Sequence, residues 1–249
     1  MVLEFLGTAG YHPSEARHTS CVFLPAVAPG HAFVLDAGSG FFRLVGRALP
    51  EHLHIFLSHP HLDHVMGLTF LLDVLYSSPS QVTLYGDTKT LIAVRQTLFG
   101  SPLFPLEWGH ECVEVRPYHP LSVAGIEVDS HPLTHPGGSL AYRFRWSDGK
   151  TLCYVTDTTG DGRYHDFISG SPDLLIHERN FPDELADLAV SSGHCTSKHL
   201  VEAARVSGAK QVIATHFNPL TLTDPLLEDD LYSQIPDLVG AFDCLKVEF

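Results

Sequence analysis

Apolar positions along the chain fall into two kinds of run. In the first part they form short stretches that stop at Gly, Pro or Asp: Val2 to Leu6, Ser20 to Leu24, His31 to Asp36 and His52 to Ser58. Runs of this length and punctuation predict strands. From about Asp63 the spacing changes. Val65, Leu68, Leu71, Leu72 and Leu75 recur at three and four residues, which predicts a helix with one buried face. Gln81 to Tyr85 reads as another strand and Thr88 to Phe99 as a helix.

The second part repeats this style. Strands are expected at Gly125 to Ser130, Ser139 to Trp146, Leu152 to Asp157 and Leu174 to His177. A helix from Ser197 to Ser207 follows, with Leu200, Val201, Ala204 and Val206 as its apolar face and Thr196 or Ser197 as its N-cap. Gln211 to Thr215 is then a buried strand ending at His216. Strands in both halves, with helices after several of them, imply an α/β fold with two central sheets flanked by helices. No Ser/Gly-rich linker or charge run interrupts residues 1–249, so one domain is expected.

Composition narrows the function classes. Apolar residues make up 44% of the chain and charged residues 18%, enough for a large core and too little charge for a disordered chain. No apolar run is long enough to span a bilayer, so no membrane partner is expected. The N-terminus lacks the basic and apolar regions of a signal peptide, and the five scattered cysteines read as reduced thiols, so a cytoplasmic location is expected. The net charge of −14 would repel a long polyanion. It argues against extended nucleic-acid contacts but admits a small anionic substrate, whose charge bound metal ions would offset locally.

Seventeen histidines are the unusual count, and they cluster. Ser58-His59-Pro60-His61-Leu62-Asp63-His64 lies between a strand and a helix, at the open edge of a sheet. Histidines two apart on extended backbone point the same way. Asp63 and His64, at the helix start, can then turn toward a second ion. Imidazole with carboxylate suits Zn2+, and also Mn2+ or Fe2+.

This segment resembles the H-x-H-x-D-H signature of the metallo-β-lactamase-fold hydrolases. Later points match that superfamily in order: His135 in Thr134-His135-Pro136-Gly137-Gly138, Asp157 in Tyr154-Val155-Thr156-Asp157, and His216 in Ala214-Thr215-His216-Phe217. Leu6-Gly7-Thr8-Ala9-Gly10 and Leu35-Asp36-Ala37-Gly38 resemble its early loops. The resemblance implies a four-layer αββα sandwich and two divalent metal ions. His59, His61 and His135 would hold the first ion, and Asp63, His64 and His216 the second, with Asp157 bridging them. His131 competes with His135, whose Pro-Gly-Gly context favours it.

Two further motifs point within that superfamily. Gly193-His194-Cys195-Thr196 resembles the glycine-histidine-serine/threonine motif of ribonuclease Z-like enzymes, and Ile176-His177-Glu178 their histidine-glutamate motif; Cys195 and Arg179-Asn180 depart from the commonest forms. By this resemblance the chain is a phosphodiesterase. Metal-activated hydroxide would attack phosphorus, Asp63 would align or deprotonate the water, His194 would protonate the leaving oxygen and Glu178 would orient His194. Ribonuclease Z proper inserts a long Gly/Pro-rich arm after the bridging aspartate. Here a short segment without a basic run joins Asp157 to Ile176, so tRNA 3′ processing is disfavoured and a small or cyclic phosphodiester is expected. Tyr11, His12, Arg17 and His18 are candidates for the pocket or for plain surface. A thioesterase or lactonase of the same superfamily is the alternative. A redox diiron relative would carry a glutamate at His61 and a flavin domain, and a non-catalytic relative would have lost some of these ligands. Relatives of this size are often homodimers.

Overall fold

The computed structural model describes residues 1–220, 231–235 and 237–249. Its first half contains β1 (Val2–Gly7), β2 (Cys21–Ala28), β3 (His31–Leu35), β4 (His52–Phe56), β5 (Gln81–Gly86) and β6 (Glu111–Glu114). The second half contains β7 (Leu121–Val123), β8 (Ile126–Leu133), β9 (Ser139–Arg145), β10 (Thr151–Val155), β11 (Leu174–Glu178), β12 (Gln211–Thr215), β13 (Leu238–Gly240) and β14 (Lys246–Glu248). Among the described residues these form two seven-stranded sheets, ordered β14-β1-β2-β3-β4-β5-β6 and β13-β12-β11-β10-β9-β8-β7. The short strands β6, β7, β13 and β14 were not legible as apolar runs, because β7 and β13 have three residues each and β6 and β14 begin and end on charged residues.

Three apolar clusters make the layers. Phe33, Leu35, Phe56, Phe144, Tyr154 and Ile176 fill the space between the sheets. Alternate residues of the same strands, such as Val34, Ile55 and Leu57, pack outward under one helical layer, and Cys153, Val155 and Leu175 under the other. Period-two alternation with both faces apolar therefore gives a sheet buried on both sides. This is the expected αββα sandwich.

The helix expected from Asp63 is interrupted. It runs as α1 (Leu62–Val65), a 3-10 stretch (Met66–Phe70) and α2 (Leu71–Ser77). The cause lies in its backbone hydrogen bonds. The Gly67 N–H donates to the Ala37 carbonyl at 2.8 Å, and the His64 carbonyl accepts from the Ala37 N–H at 2.8 Å, instead of closing helical turns. A Cβ on Gly67 would lie 2.1 Å from the Gly38 oxygen, so this approach requires glycine. The histidine-rich turn is thereby docked onto the loop after β3. Leu72, expected inside, is exposed. The helix expected at Thr88 is α3 (Thr88–Ile92), which widens into a π turn over Ala93–Leu98. Helices α4 (His165–Ile168) and α5 (Ala186–Ser192) also escaped the sequence pattern. In α6 (Ser197–Ser207) Thr196 is the N-cap, and Ala203 replaces Val206 on the buried face.

A second histidine group lies on β3 and β4, separate from the motif. His54 is buried, with Nδ1 3.1 Å from the Tyr85 hydroxyl and Nε2 2.9 Å from His31 Nδ1, while His31 stacks on His52 at 4.5 Å. Burial, reinforced by His31 and His52, pushes the His54 pKa down to about 4. An unfolded histidine titrates near 6.5, so between those values the unfolded chain binds a proton that the folded chain refuses. Stability from this group is complete above pH ~6.5 and falls as pH drops toward 4, by roughly 3 kcal/mol at most. The His54→Gln variant should show a flatter acid limb in urea midpoints than the wild type. Parallel limbs would rule the effect out.

Candidate metal centre

Six chain segments reach one end of the sandwich. The turn after β4 brings His59, His61, Asp63 and His64. The ends of β8, β10 and β12 bring His135, Asp157 and His216, and the end of β11 brings Glu178. His194 follows α5. Asp36 and His216 directly follow a strand, Asp157 follows another after one intervening residue, and all three adopt left-handed backbone, with φ of 56°, 58° and 51°. Positive φ on three such residues at one end of the fold is stored strain of the kind that collects at functional sites.

Asp157 faces two groups at once. Its Oδ2 lies 3.5 Å from the Nε2 of both His59 and His135, and its Oδ1 lies 3.3 Å from His64 Nε2 and 3.2 Å from His216 Nε2. Asp63 Oδ2 lies 3.4 Å from those same two nitrogens. His61 Nδ1 sits 3.2 Å from His135 Nε2, and His64 Nε2 3.2 Å from His216 Nε2. Donor atoms of His59, His61, His135 and Asp157 thus gather in one group and those of Asp63, His64 and His216 in another, each within 4.8 Å. All seven residues expected to hold metal come together. His131 does not; its ring packs between Tyr118 and Phe167.

Neighbours turn the imidazole lone pairs into this space. Asp36, fully buried, accepts from the Ser58 backbone N–H at 2.7 Å, from the Ser58 and Tyr154 hydroxyls at 2.9 Å and 2.7 Å, and from His64 Nδ1 at 2.9 Å. Ser58 Oγ is 3.0 Å from His59 Nδ1, and the Gly193 carbonyl accepts from His135 Nδ1 at 2.8 Å. With the Nδ1 protons of His59 and His135 used in this way, their Nε2 atoms present lone pairs. His59 Nε2 is buried without a hydrogen-bond partner. A buried nitrogen aimed at two carboxylate-lined groups of imidazoles is what a cation site requires, so the donor set fits divalent metal.

Charge follows the same pattern. Burial pushes His59, His61 and His135 below the ordinary imidazole range, which keeps them neutral and able to ligate. Burial alone would lower His64 too, but Asp157, Asp63 and Asp36 outweigh it and raise it well above that range. Burial would raise Asp63, and His64 and His216 instead hold it well below the carboxylate range.

Beside the cluster stands the pair expected from the second motif. His194 Nδ1 is 3.1 Å from Glu178 Oε2, and Glu178 Oε1 accepts from the Thr158 N–H at 2.6 Å. Burial lowers the His194 pKa, but Glu178 more than offsets it and the value is pushed up to about 9. Gly193 ends α5 with φ 84°, and a Cβ there would strike Pro136 at 2.0 Å, so the turn presenting His194 requires glycine. His194 also groups with Asp157 and His216 as a potential ligand set. Of the early-loop candidates, Tyr11 lines the cavity and its N–H donates to Asp63 Oδ2 at 2.7 Å. His18 instead meets Ser39 and Phe42, and Arg17 meets Thr8 and the Ala241 carbonyl. Asn180, whose amide donates to the His216 carbonyl at 3.0 Å, was missed as a support for that residue.

Residues 31–217 match the family described as the beta-lactamase superfamily domain. Ribonuclease Z of Synechococcus sp. strain CC9311 is 27% identical, over 100% of this chain and 98% of that protein. The metallo-beta-lactamase fold protein YhfI of Bacillus subtilis superposes with a TM-score of 0.81 at 21% identity, covering 100% of this chain and 98% of that one. A diphosphatase from the PhnP family superposes with a TM-score of 0.72 at 20% identity, covering 100% and 96%.

Proposed function

Since the chain belongs to the beta-lactamase superfamily and is a metal-dependent hydrolase, we propose that it hydrolyses a small or cyclic phosphodiester with two divalent cations, Zn2+ foremost. Held by the two groups of donors, such cations would neutralise phosphoryl oxygens and lower the pKa of water. His59, His61, His135 and Asp157 would hold one, and Asp63, His64, His216 and Asp157 the other. Asp63, with one oxygen anchored by the Tyr11 N–H, orients the attacking water. His194 holds a proton on the ring edge opposite Glu178 and delivers it to the departing oxygen. Glu178 accepts from His194 Nδ1, fixes the ring's orientation and keeps the imidazole charged.

The observation that carries this reading is the 3.1 Å His194–Glu178 pair beside the cluster. An alkoxide leaving from phosphorus needs a proton donor there, and a raised pKa suits the acid role. Supporting a small substrate, helix α4 is the only element of regular structure between Asp157 and β11, and net charge opposes a long polyanion. Among the relatives, a ribonuclease Z and a PhnP-family diphosphatase bear names of phosphate chemistry. The test is turnover of bis(p-nitrophenyl) phosphate against a thioester and a lactone by the Zn2+-loaded protein. The diester should be preferred by at least about 100-fold in kcat/KM. Preference for either carbonyl substrate would replace the phosphodiesterase reading by a thioesterase or lactonase.

A further inference from the structure

The cavity that opens onto the cluster measures about 550 Å3. Its polar side is the cluster itself, with His194, Asn180, Ser192 and Asn218. The remaining wall includes Tyr11, Leu62, Pro136, Phe181, Pro219 and Leu220. Tyr11, Leu62 and Leu220 are 78%, 67% and 76% exposed. Single exposed apolar residues are ordinary, but these come from three separate segments and share one mouth.

Charge sharpens the picture. No Lys or Arg is among the described residues that line the cavity. Arg17, near in sequence, is turned aside: it donates to Thr8 Oγ1 at 2.7 Å and the Ala241 carbonyl at 2.6 Å, over the Phe217 ring. Segment 183–192, which contributes Ser192 to the wall, contains no basic residue. A second phosphate on the substrate would meet no Lys or Arg among the described lining residues.

Resting on the phosphodiesterase reading, we infer that the substrate carries a single negative charge and an aromatic second ester group. That group lies against Tyr11, Leu62 and Leu220 while the phosphoryl oxygens face the cluster. The Tyr11 and Phe181 rings on this wall suit a flat partner in offset or edge contact. A cavity of this size holds a small molecule of one or two rings. Polyphosphorylated nucleotides and nucleic-acid strands are excluded by the same lining.

The test compares bis(p-nitrophenyl) phosphate with methyl p-nitrophenyl phosphate on the Zn2+-loaded protein. Both carry one charge and release p-nitrophenolate, so only the retained ester group differs. After division by each compound's alkaline hydrolysis rate, kcat/KM should favour the diaryl ester by about tenfold or more. Leu220→Ala, at an exposed position that folding does not depend on, should lower that preference by about threefold. Equal normalised rates for the two diesters would overturn the inference while leaving the phosphodiesterase standing, as would a Leu220→Ala preference equal to that of the wild type. Turnover of neither diester, with hydrolysis of a thioester or lactone, would remove the underlying reading and this one with it.

Discussion

Replacing Asp157 by asparagine is expected to lower kcat/KM on the order of 10⁴-fold and to strip the protein of metal. Asparagine tolerates left-handed backbone, so the φ of 51° at this position survives the change. What is lost is the charge and one of two equivalent oxygens. Oδ1 lies 3.2–3.3 Å from His216 and His64, and Oδ2 3.5 Å from His59 and His135. A neutral amide offers one oxygen to one group and an N–H to the other, which repels a cation. Elemental analysis after dialysis, beside thermal unfolding of the metal-free proteins, separates lost ligation from lost folding. A variant that keeps the wild-type metal content and rate would show that Asp157 does not join the two groups.

The second large effect belongs to His194. The His194→Gln variant should retain wild-type metal content and lose 10²- to 10⁴-fold in kcat, roughly the range for a general acid. The loss must depend on the leaving group. p-Nitrophenolate departs without help, so aryl diesters should suffer little, whereas an alkyl leaving group should show the full effect. The pH profile follows the same logic. An acid works while protonated, so the wild-type rate with an alkyl leaving group falls as pH rises through the pKa of His194. The variant should lack that limb. The grouping of His194 with Asp157 and His216 supplies the competing possibility that His194 is itself a ligand. In that case the variant would lose metal, and aryl and alkyl diesters would fail together.

Much of this was legible in sequence because the informative residues sit where strands stop. Apolar runs placed β1, β3, β4, β10, β11 and β12, and the residues just beyond four of them are Asp36, Leu57-Ser58-His59, Thr156-Asp157 and His216. A strand end fixes a side chain's direction, so local pattern carried three-dimensional information. Spacing in sequence could not say that His135 and Asp157 share one group, since they meet only because β8, β9 and β10 pair in antiparallel order. That step came from resemblance.

What stayed hidden depended on tertiary contact. Asp36 looked like part of an early loop, yet it receives four hydrogen bonds that orient Ser58, Tyr154 and His64. Its signal was an acidic residue ending an apolar strand before Ala-Gly, which is weak until the partners are known. The break after α1 was hidden for the same reason, because the competing acceptor, the Ala37 carbonyl, lies far back in sequence. Helix α5 leaves most of its surface in water, so it had no apolar face to read. Its glycine end was visible only as the start of the Gly193-His194 motif.

The most direct test of the metal centre is an anomalous-difference map from crystals of the protein grown with Zn2+. Two peaks are expected, one among His59, His61 and His135 and one among Asp63, His64 and His216, with Asp157 touching both. A single peak, or peaks away from Asp157, would contradict the account.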